Sequence, residues 1–218
     1  MRTSSEEDYL KAIYALSNNS DGASTNALAN HLSMKASSIT DMLKKLSEKG
    51  WVHYEKYKGA SLNADGTTIA LSIVRKHRLW ETFLVNKLKF KWDEVHEIAE
   101  QLEHINSKEL VDRLDDFLGN PKFDPHGDPI PNKDHKITDS RKRSYLSEVK
   151  INSEVIIIGV KDSSAQLLQY LEKENMILGK HISVLEIHDF DKSLRIAING
   201  KELNISERVA QNVLVQTN

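Results

Sequence analysis

Apolar residues first recur at helical spacing, with Tyr9, Leu10, Ile13 and Tyr14 on one face behind Ser4 and Glu7, a capping-box pair. Asp21-Gly22 closes that unit. Ser24 or Thr25 can cap a second short helix with Leu28, Ala29 and Leu32. Past Ser33-Met34-Lys35 a third helix follows, with Ile39, Met42, Leu43 and Leu46 apolar, and Gly50 stops it. The strings WVHYEKY and ASLN, separated by Lys58-Gly59, predict a two-stranded hairpin.

Further on, Asp65 opens a long helix through Ile69, Ala70, Ile73, Val74, Trp80, Phe83 and Leu84. Two more helices are expected, from about Asp93 to Ile105 and from Ser107 to Gly119. All four prolines fall in PKFDPHGDPIPN, which must be an irregular loop. A linker is expected near Thr138–Ser144. Beyond it, VIIIGV reads as a buried strand and SAQLLQYLEKE as a helix. HISVLEI, LRIAI and KELNI read as strands, the last two joined by the hairpin signal Asn199-Gly200. The expected fold is mostly α with a β-rich C-terminal domain. It divides into a winged helix-turn-helix over 1–73, a helical domain over 74–140 and a small β-barrel over 145–218.

Composition narrows the chemistry. The chain has 218 residues and no cysteine, which excludes disulfides, thiolate catalysis and sulfur-ligated metal centres. That fits a reducing cytoplasm, where the protein is expected to act. No apolar run is long enough for a transmembrane helix, and the acidic N-terminal stretch does not resemble a signal peptide, so no membrane partner is expected. The net charge is -2. Basic and acidic residues balance over 1–74, so nucleic-acid binding has to come from a local patch rather than from overall charge.

A winged helix-turn-helix reads DNA with the N-terminal part of its second helix in the major groove. Here that part holds Lys35, Ala36, Ser37, Ser38, Thr40, Asp41 and Lys44, with Lys56 and Lys58 on the wing. Small hydroxyl residues allow a close approach to phosphates. The competing reading of this element is a protein-interaction winged helix.

The segment VHEIAEQLEHI carries the second signal. At about 100° per residue, His96, Glu100, Glu103 and His104 fall within one arc roughly 100° wide. His77 and Glu81 lie four apart on the preceding helix, and Asp8 on the first helix is a further candidate. Oxygen and imidazole donors without sulfur suit Mn(II) or Fe(II), and zinc can occupy the same set. The alternative is a solvated helix face of Glu–His and Glu–Lys pairs.

Taken together, EDYLKAIYAL, SSITDMLKKL, YEKYKG, RKHRLWETFL, VHEIAEQLEH and HGDPIP resemble, in order and spacing, the diphtheria-toxin-repressor family of metal-dependent transcriptional regulators, in particular its manganese-responsive branch. The resemblance implies a winged-helix DNA-binding domain, a helical dimerisation domain with two metal sites, and a C-terminal domain of the FeoA or Src-homology-3 type. It implies a homodimer on a pseudo-palindromic double-stranded operator, repressing metal-uptake genes when the ion is plentiful. One implied site uses Asp8, Glu100, Glu103 and His104. The other uses His77, Glu81 and His96, with Gln166 and Asp162 from the C-terminal domain. The toxin-repressor branch has methionine and cysteine where Asp8 and Glu100 stand, so this donor set is harder and favours manganese. Lys11 stands where barrel-less manganese regulators carry a ligand glutamate.

Two other function classes compete with this reading. A metallohydrolase would need a motif such as HExxH, and VHEIAEQLEH has no second histidine four residues after His96. No phosphate loop or nucleophile elbow occurs either, so the chain is not expected to be an enzyme. A metal-independent winged-helix regulator is the other alternative.

Overall fold

The computed structural model describes residues 2–17 and 22–217. Asp21, the first residue of the expected Asp21-Gly22 stop, lies outside them. The chain forms two compact units. One comprises residues up to His77 with Glu100–Arg113 and Pro131–Ile137; the other comprises Arg78–Ala99, Leu114–Ile130 and everything from Thr138 onward.

In the first unit, α1 (Ser4–Ser17), α2 (Thr25–His31) and α3 (Ala36–Glu48) precede a hairpin of β1 (Val52–Glu55) and β2 (Gly59–Leu62). The α1 cap lies one residue earlier than the sequence suggested. Thr3 accepts the Glu6 N–H at 3.3 Å while Glu6 accepts that of Thr3, so the box is Thr3/Glu6 rather than Ser4/Glu7. Ser24 caps α2 through the Ala27 N–H at 3.1 Å. Gly50 ends the α3 segment at φ 70°, a conformation in which a Cβ is costly. Tyr9, Leu10 and Ile13 from α1 share one core with Leu28, Ile39, Leu43, Leu46 and Val52. Burial of such side chains contributes about 1.5–3 kcal/mol each, the main force holding the helices and the wing together.

Helix α4 (Ala64–Asn86) starts before Asp65; its cap is Asn63, whose side chain accepts the Gly66 N–H at 2.8 Å. Then come α5 (His96–Leu102) and α6 (Lys108–Phe117), both shorter than expected. Glu103 and His104 therefore sit in a turn beyond α5, not on its face. The boundary between the two units divides α4 after His77 and α6 after Arg113.

The second unit carries the C-terminal sheet. Its strands are β3 (Ser144–Tyr145), β4 (Glu154–Val160), β5 (His181–Ile187), β6 (Leu194–Ile198), β7 (Lys201–Ile205) and β8 (Val213–Thr217), with α7 (Ala165–Lys173) after β4 and α8 (Glu207–Ala210) after β7. The strand order is β3-β8-β4-β5-β6-β7, antiparallel throughout. The expected barrel is not closed, because β3 and β7 remain edges among the described residues. Asn199 and Gly200, at φ 50° and 78°, make the predicted tight β6–β7 turn. One core joins Val155, Ile157, Leu168, Ile182, Val184, Ile196 and Val215, and it includes Trp92 from the segment after α4. The Gln169 side chain on α7 donates to the Asp93 carboxylate at 2.8 Å.

The expected linker is pinned. Arg141 binds Asp139 at 2.9 Å, donates to the carbonyls of Gly127 and Ile158, and stacks on the Phe123 ring at 3.4 Å. No helix among the described residues is long and apolar enough to cross a membrane.

Candidate metal centre and nucleic-acid interface

Asp8, Glu103 and His104 converge in the first unit, where one ligand atom from each lies within 4.8 Å of the others. Asp8 lies one turn into α1, just before Tyr9 and Leu10 of its buried stripe, and the turn after α5 supplies the other two. The His104 ring contacts Asp8 at 3.1 Å through Nε2 and Glu7 at 2.9 Å through Nδ1. His77 on α4 lies 2.6 Å from Glu103 through Nδ1 and 3.8 Å from Glu100. Lys11, one turn after Asp8, places its ammonium between Glu100 and Glu103. Partial burial pushes the Asp8 carboxyl above its usual range. His104 and Lys11 pull it down, while Glu103 and Glu100 push it further up.

A second group lies within the second unit. Glu81, Asp124 and His126 are all buried and also have ligand atoms within 4.8 Å of one another. Glu81 stands between two imidazoles, with His96 Nδ1 at 3.5 Å from one oxygen and His126 Nδ1 at 3.5 Å from the other. The proline-rich loop is held in shape from inside: Asp124 accepts the backbone N–H groups of His126 and Asp128 at 2.8 and 3.0 Å. The His126 ring stacks on Trp92 and meets the Trp92 carbonyl at 2.8 Å through Nε2.

From outside, β4 holds the same loop. The Val160 N–H donates to the His126 carbonyl at 3.0 Å. Gly127, at φ 89°, lies so close to β4 that a Cβ would come within 2.1 Å of the Ile158 carbonyl oxygen.

Burial alone would lower the His126 pKa. Hydrogen bonding and charge from Glu81, with the charge of Asp124, instead hold it up at about 9. Burial pushes Asp124 up to about 7, helped by Asp128 and Glu81 and opposed by Arg78 and His126.

Both groups offer only oxygen and imidazole donors, and both bring carboxylates together at separations that a divalent cation would relieve. The residues present therefore fit a hard or borderline divalent ion. The structure brings Asp8, Glu103 and His104 together as the sequence led one to expect, with Glu100 on their edge. Of the other expected set, Glu81 and His96 lie together in the second unit, and His77, in the first, meets Glu103 and Glu100. Asp162 and Gln166 are exposed; the Asp162 carboxylate instead accepts the Ser164 N–H at 2.8 Å. The residues that sequence reasoning passed over are Asp124, His126 and Glu7. The spacing D-x-H in FDPHGDP was a readable signal for the first two. Glu7 carried none, because its role depends on where the turn after α5 places His104.

On the winged helix, Lys35, Ala36, Ser37, Ser38, Asp41 and Lys44 are exposed along the N-terminal part of α3. The Thr40 hydroxyl is half-buried and donates to the Ala36 carbonyl at 3.0 Å. Lys44 approaches Asp41 only to 3.8 Å, leaving its ammonium largely in solvent. Lys45 and Lys49, further along, are instead committed to the buried Glu6 at 2.8 and 2.7 Å. On the wing, Lys56 lies over the exposed Tyr57 ring and Lys58 pairs with Glu55 at 2.6 Å.

Comparison with known proteins matches three family models. They are the iron dependent repressor N-terminal DNA-binding domain over residues 1–60, the iron dependent repressor metal-binding and dimerisation domain over 63–132, and the FeoA domain over 145–217. The chain is 31% identical over 152 residues to the HTH-type transcriptional regulator MntR of Oceanobacillus iheyensis, covering 70% of this chain and 97% of that one. It is 41% identical over 91 residues to a probable metal transport system membrane protein of Chlamydia trachomatis, 42% of this chain but only 20% of that protein's length. Among solved structures, a manganese-dependent transcriptional repressor in complex with manganese superimposes with a TM-score of 0.87 at 34% identity, over 98% of this chain and 100% of that one. A winged helix, carboxylate–imidazole groups and a FeoA-type sheet in one chain, matched along nearly its whole length, place this protein in the family of metal-dependent, DNA-binding transcriptional repressors that includes MntR.

Proposed function

We propose that this protein is a cytoplasmic, manganese-responsive transcriptional repressor. It acts as a homodimer on a pseudo-palindromic double-stranded operator and controls metal-uptake genes. Its working parts are the winged helix-turn-helix over 1–73, the helical metal-binding and dimerisation region over 74–140 and the C-terminal domain over 145–218. Asp8, Glu103 and His104, with Glu100 and His77 beside them, would hold one ion; Glu81, Asp124 and His126, with His96 beside them, would hold a second. The oxygen–imidazole donor set favours Mn(II), with Fe(II) next and Zn(II) a substitute in vitro.

The observation that carries this reading is the convergence of Asp8 from α1 with Glu103 and His104 from the turn after α5, in the unit that also holds the reading helix. When bound, the ion supplies positive charge that lets clustered carboxylates coexist. Asp8 sits on the helix whose Tyr9, Leu10 and Ile13 form the core under α3. Fixing Asp8 therefore fixes the base on which α3 rests. An effector that binds one arrangement only stabilises it by about 2.7 kcal/mol at a hundredfold excess over Kd, enough to shift a balanced equilibrium. Lys35, Ser37, Ser38 and Lys44 then meet the DNA backbone and groove, with Lys56 and Lys58 flanking.

Fluorescence anisotropy on the DNA upstream of the gene, run across Mn(II), Fe(II) and Zn(II), tests this. Binding should saturate with Mn(II), and Asp8→Ala or Glu103→Ala should abolish the metal dependence while the protein stays folded. Metal-independent binding by the unaltered chain would refute it. Lys44→Ala should weaken binding uniformly and lower the salt slope by about one.

A further inference from the structure

The first unit contains a cavity of about 310 Å³ with no part in the reading above. Its walls come from the start of the chain, the middle of α4, the turn into α6, and the segment 131–137. Five basic side chains line it, Arg2, Arg75, Lys76, Lys108 and Lys133, against a single carboxylate, Asp112. That carboxylate is already engaged by Arg75 at 3.6 Å. Arg75 is only 3% exposed and donates to the Pro131 carbonyl at 3.3 Å, so one guanidinium is built into the wall rather than waving on the surface.

His135 adds an independent mark. Its Nδ1 is shut away from solvent and has no hydrogen-bond partner among the described residues. Burial, with Arg75 and Lys108 nearby, pushes this imidazole below the usual histidine range, against the opposing pull of Asp134 and Asp112. Ser72 and Thr68 bring hydroxyls to the same walls. Arg2 also meets Glu7 at 3.4 Å, and the basic side chains on these walls outnumber the carboxylate there.

We propose that this cavity is a binding site for a small multivalent oxyanion, a phosphorylated or polycarboxylate metabolite carrying two or more negative charges. Its volume lies at the lower end of small-molecule sites, which suits a compact ligand. Arginine and lysine together, with hydroxyls and a ring nitrogen, are the donors that recognise phosphate and carboxylate oxygens. A duplex backbone is the less suitable occupant, because the Arg75 guanidinium lies within a concave wall. The proposal does not depend on metal sensing.

The test is calorimetric titration of the metal-free, full-length protein with pyrophosphate and, separately, with tricarballylate. Saturable one-to-one binding of either is expected. Lys108→Gln and Lys133→Gln, both at exposed positions, should each weaken it by about tenfold, while Lys142→Gln, outside the cavity, should leave it unchanged. Circular dichroism verifies that the variants fold. Failure of both anions to saturate, or equal loss in the Lys142→Gln control, overturns the proposal. So does a reduced salt slope of operator binding in Lys108→Gln and Lys133→Gln without anion uptake by the unaltered protein, which would make the cavity a DNA-phosphate contact.

Discussion

Both carboxylate oxygens of Glu103 are held by the Lys11 ammonium, at 2.7 and 2.8 Å. A tethered cation thus sits against the carboxylates proposed to receive a divalent ion. Lys11→Gln should lower the thermal stability of the metal-free protein by about 1–3 kcal/mol, since it takes the ammonium from buried Glu103, which then keeps the His77 ring at 2.6 Å. The same change removes a competitor, so Mn(II) should bind about tenfold more tightly. Melting curves and manganese titrations of both proteins check this; an unchanged manganese affinity would place the ion elsewhere.

Protons govern the group in the second unit. His126, held at about 9, is charged at neutral pH, and Asp124, at about 7, is partly protonated. A divalent ion must displace both protons, so its affinity there should rise between about pH 6 and 9, with proton release measurable by calorimetry in buffers of different ionisation enthalpy. Metal-free stability should move the other way. The raised His126 pKa contributes stability below the ordinary histidine pKa, and that contribution is lost as pH climbs through 9. Asp124 acts in the same direction, because its elevated pKa penalises the ionised form. Asp124→Asn should cut the proton release and weaken binding at this group.

Glu6 tests the base of the reading helix. Burial would raise its pKa, but hydrogen bonds from Lys45 and Lys49 overcome that and hold it at about 2. Its stabilising contribution is complete above the ordinary glutamate pKa and is lost as pH falls toward 2. Glu6→Gln should cost about 2 kcal/mol at neutral pH and flatten the acid limb of the stability profile, read by urea titration.

Self-association has its own probe. Phe117 is 62% exposed and lies 6.3 Å from the Phe83 ring, which in turn meets Trp80 edge-on. Phe117 is the exposed end of a cluster whose Trp80 and Phe83 are half-buried, and a large apolar ring in water invites a partner. Phe117→Asp should raise the dimer dissociation constant by at least about tenfold, measured by sedimentation.

Much of this was legible in the sequence because periodicity reports burial directly. The stripe of Tyr9, Leu10 and Ile13, the α3 stripe and the Asn199-Gly200 turn all lie where spacing and turn chemistry put them. Residue type and the family resemblance single out Asp8, Glu103 and His104. The helical arc that was expected to align them is not what does so, because α5 ends at Leu102 and a turn presents Glu103 and His104. Caps slipped by a residue or two where Thr3 and Asn63 outcompeted Ser4 and Asp65. Asp124 and His126 stayed hidden because a proline-rich loop has no period. Its shape is set by β4 and Trp92, which are distant in sequence.

The close seat of Gly127 against β4 makes the last third of the chain a template for the loop that bears His126. Shortening the protein before residue 145 would leave that loop without its mould. An excised middle module would then lose not merely an appendage but the rigidity of one of its own candidate chelators.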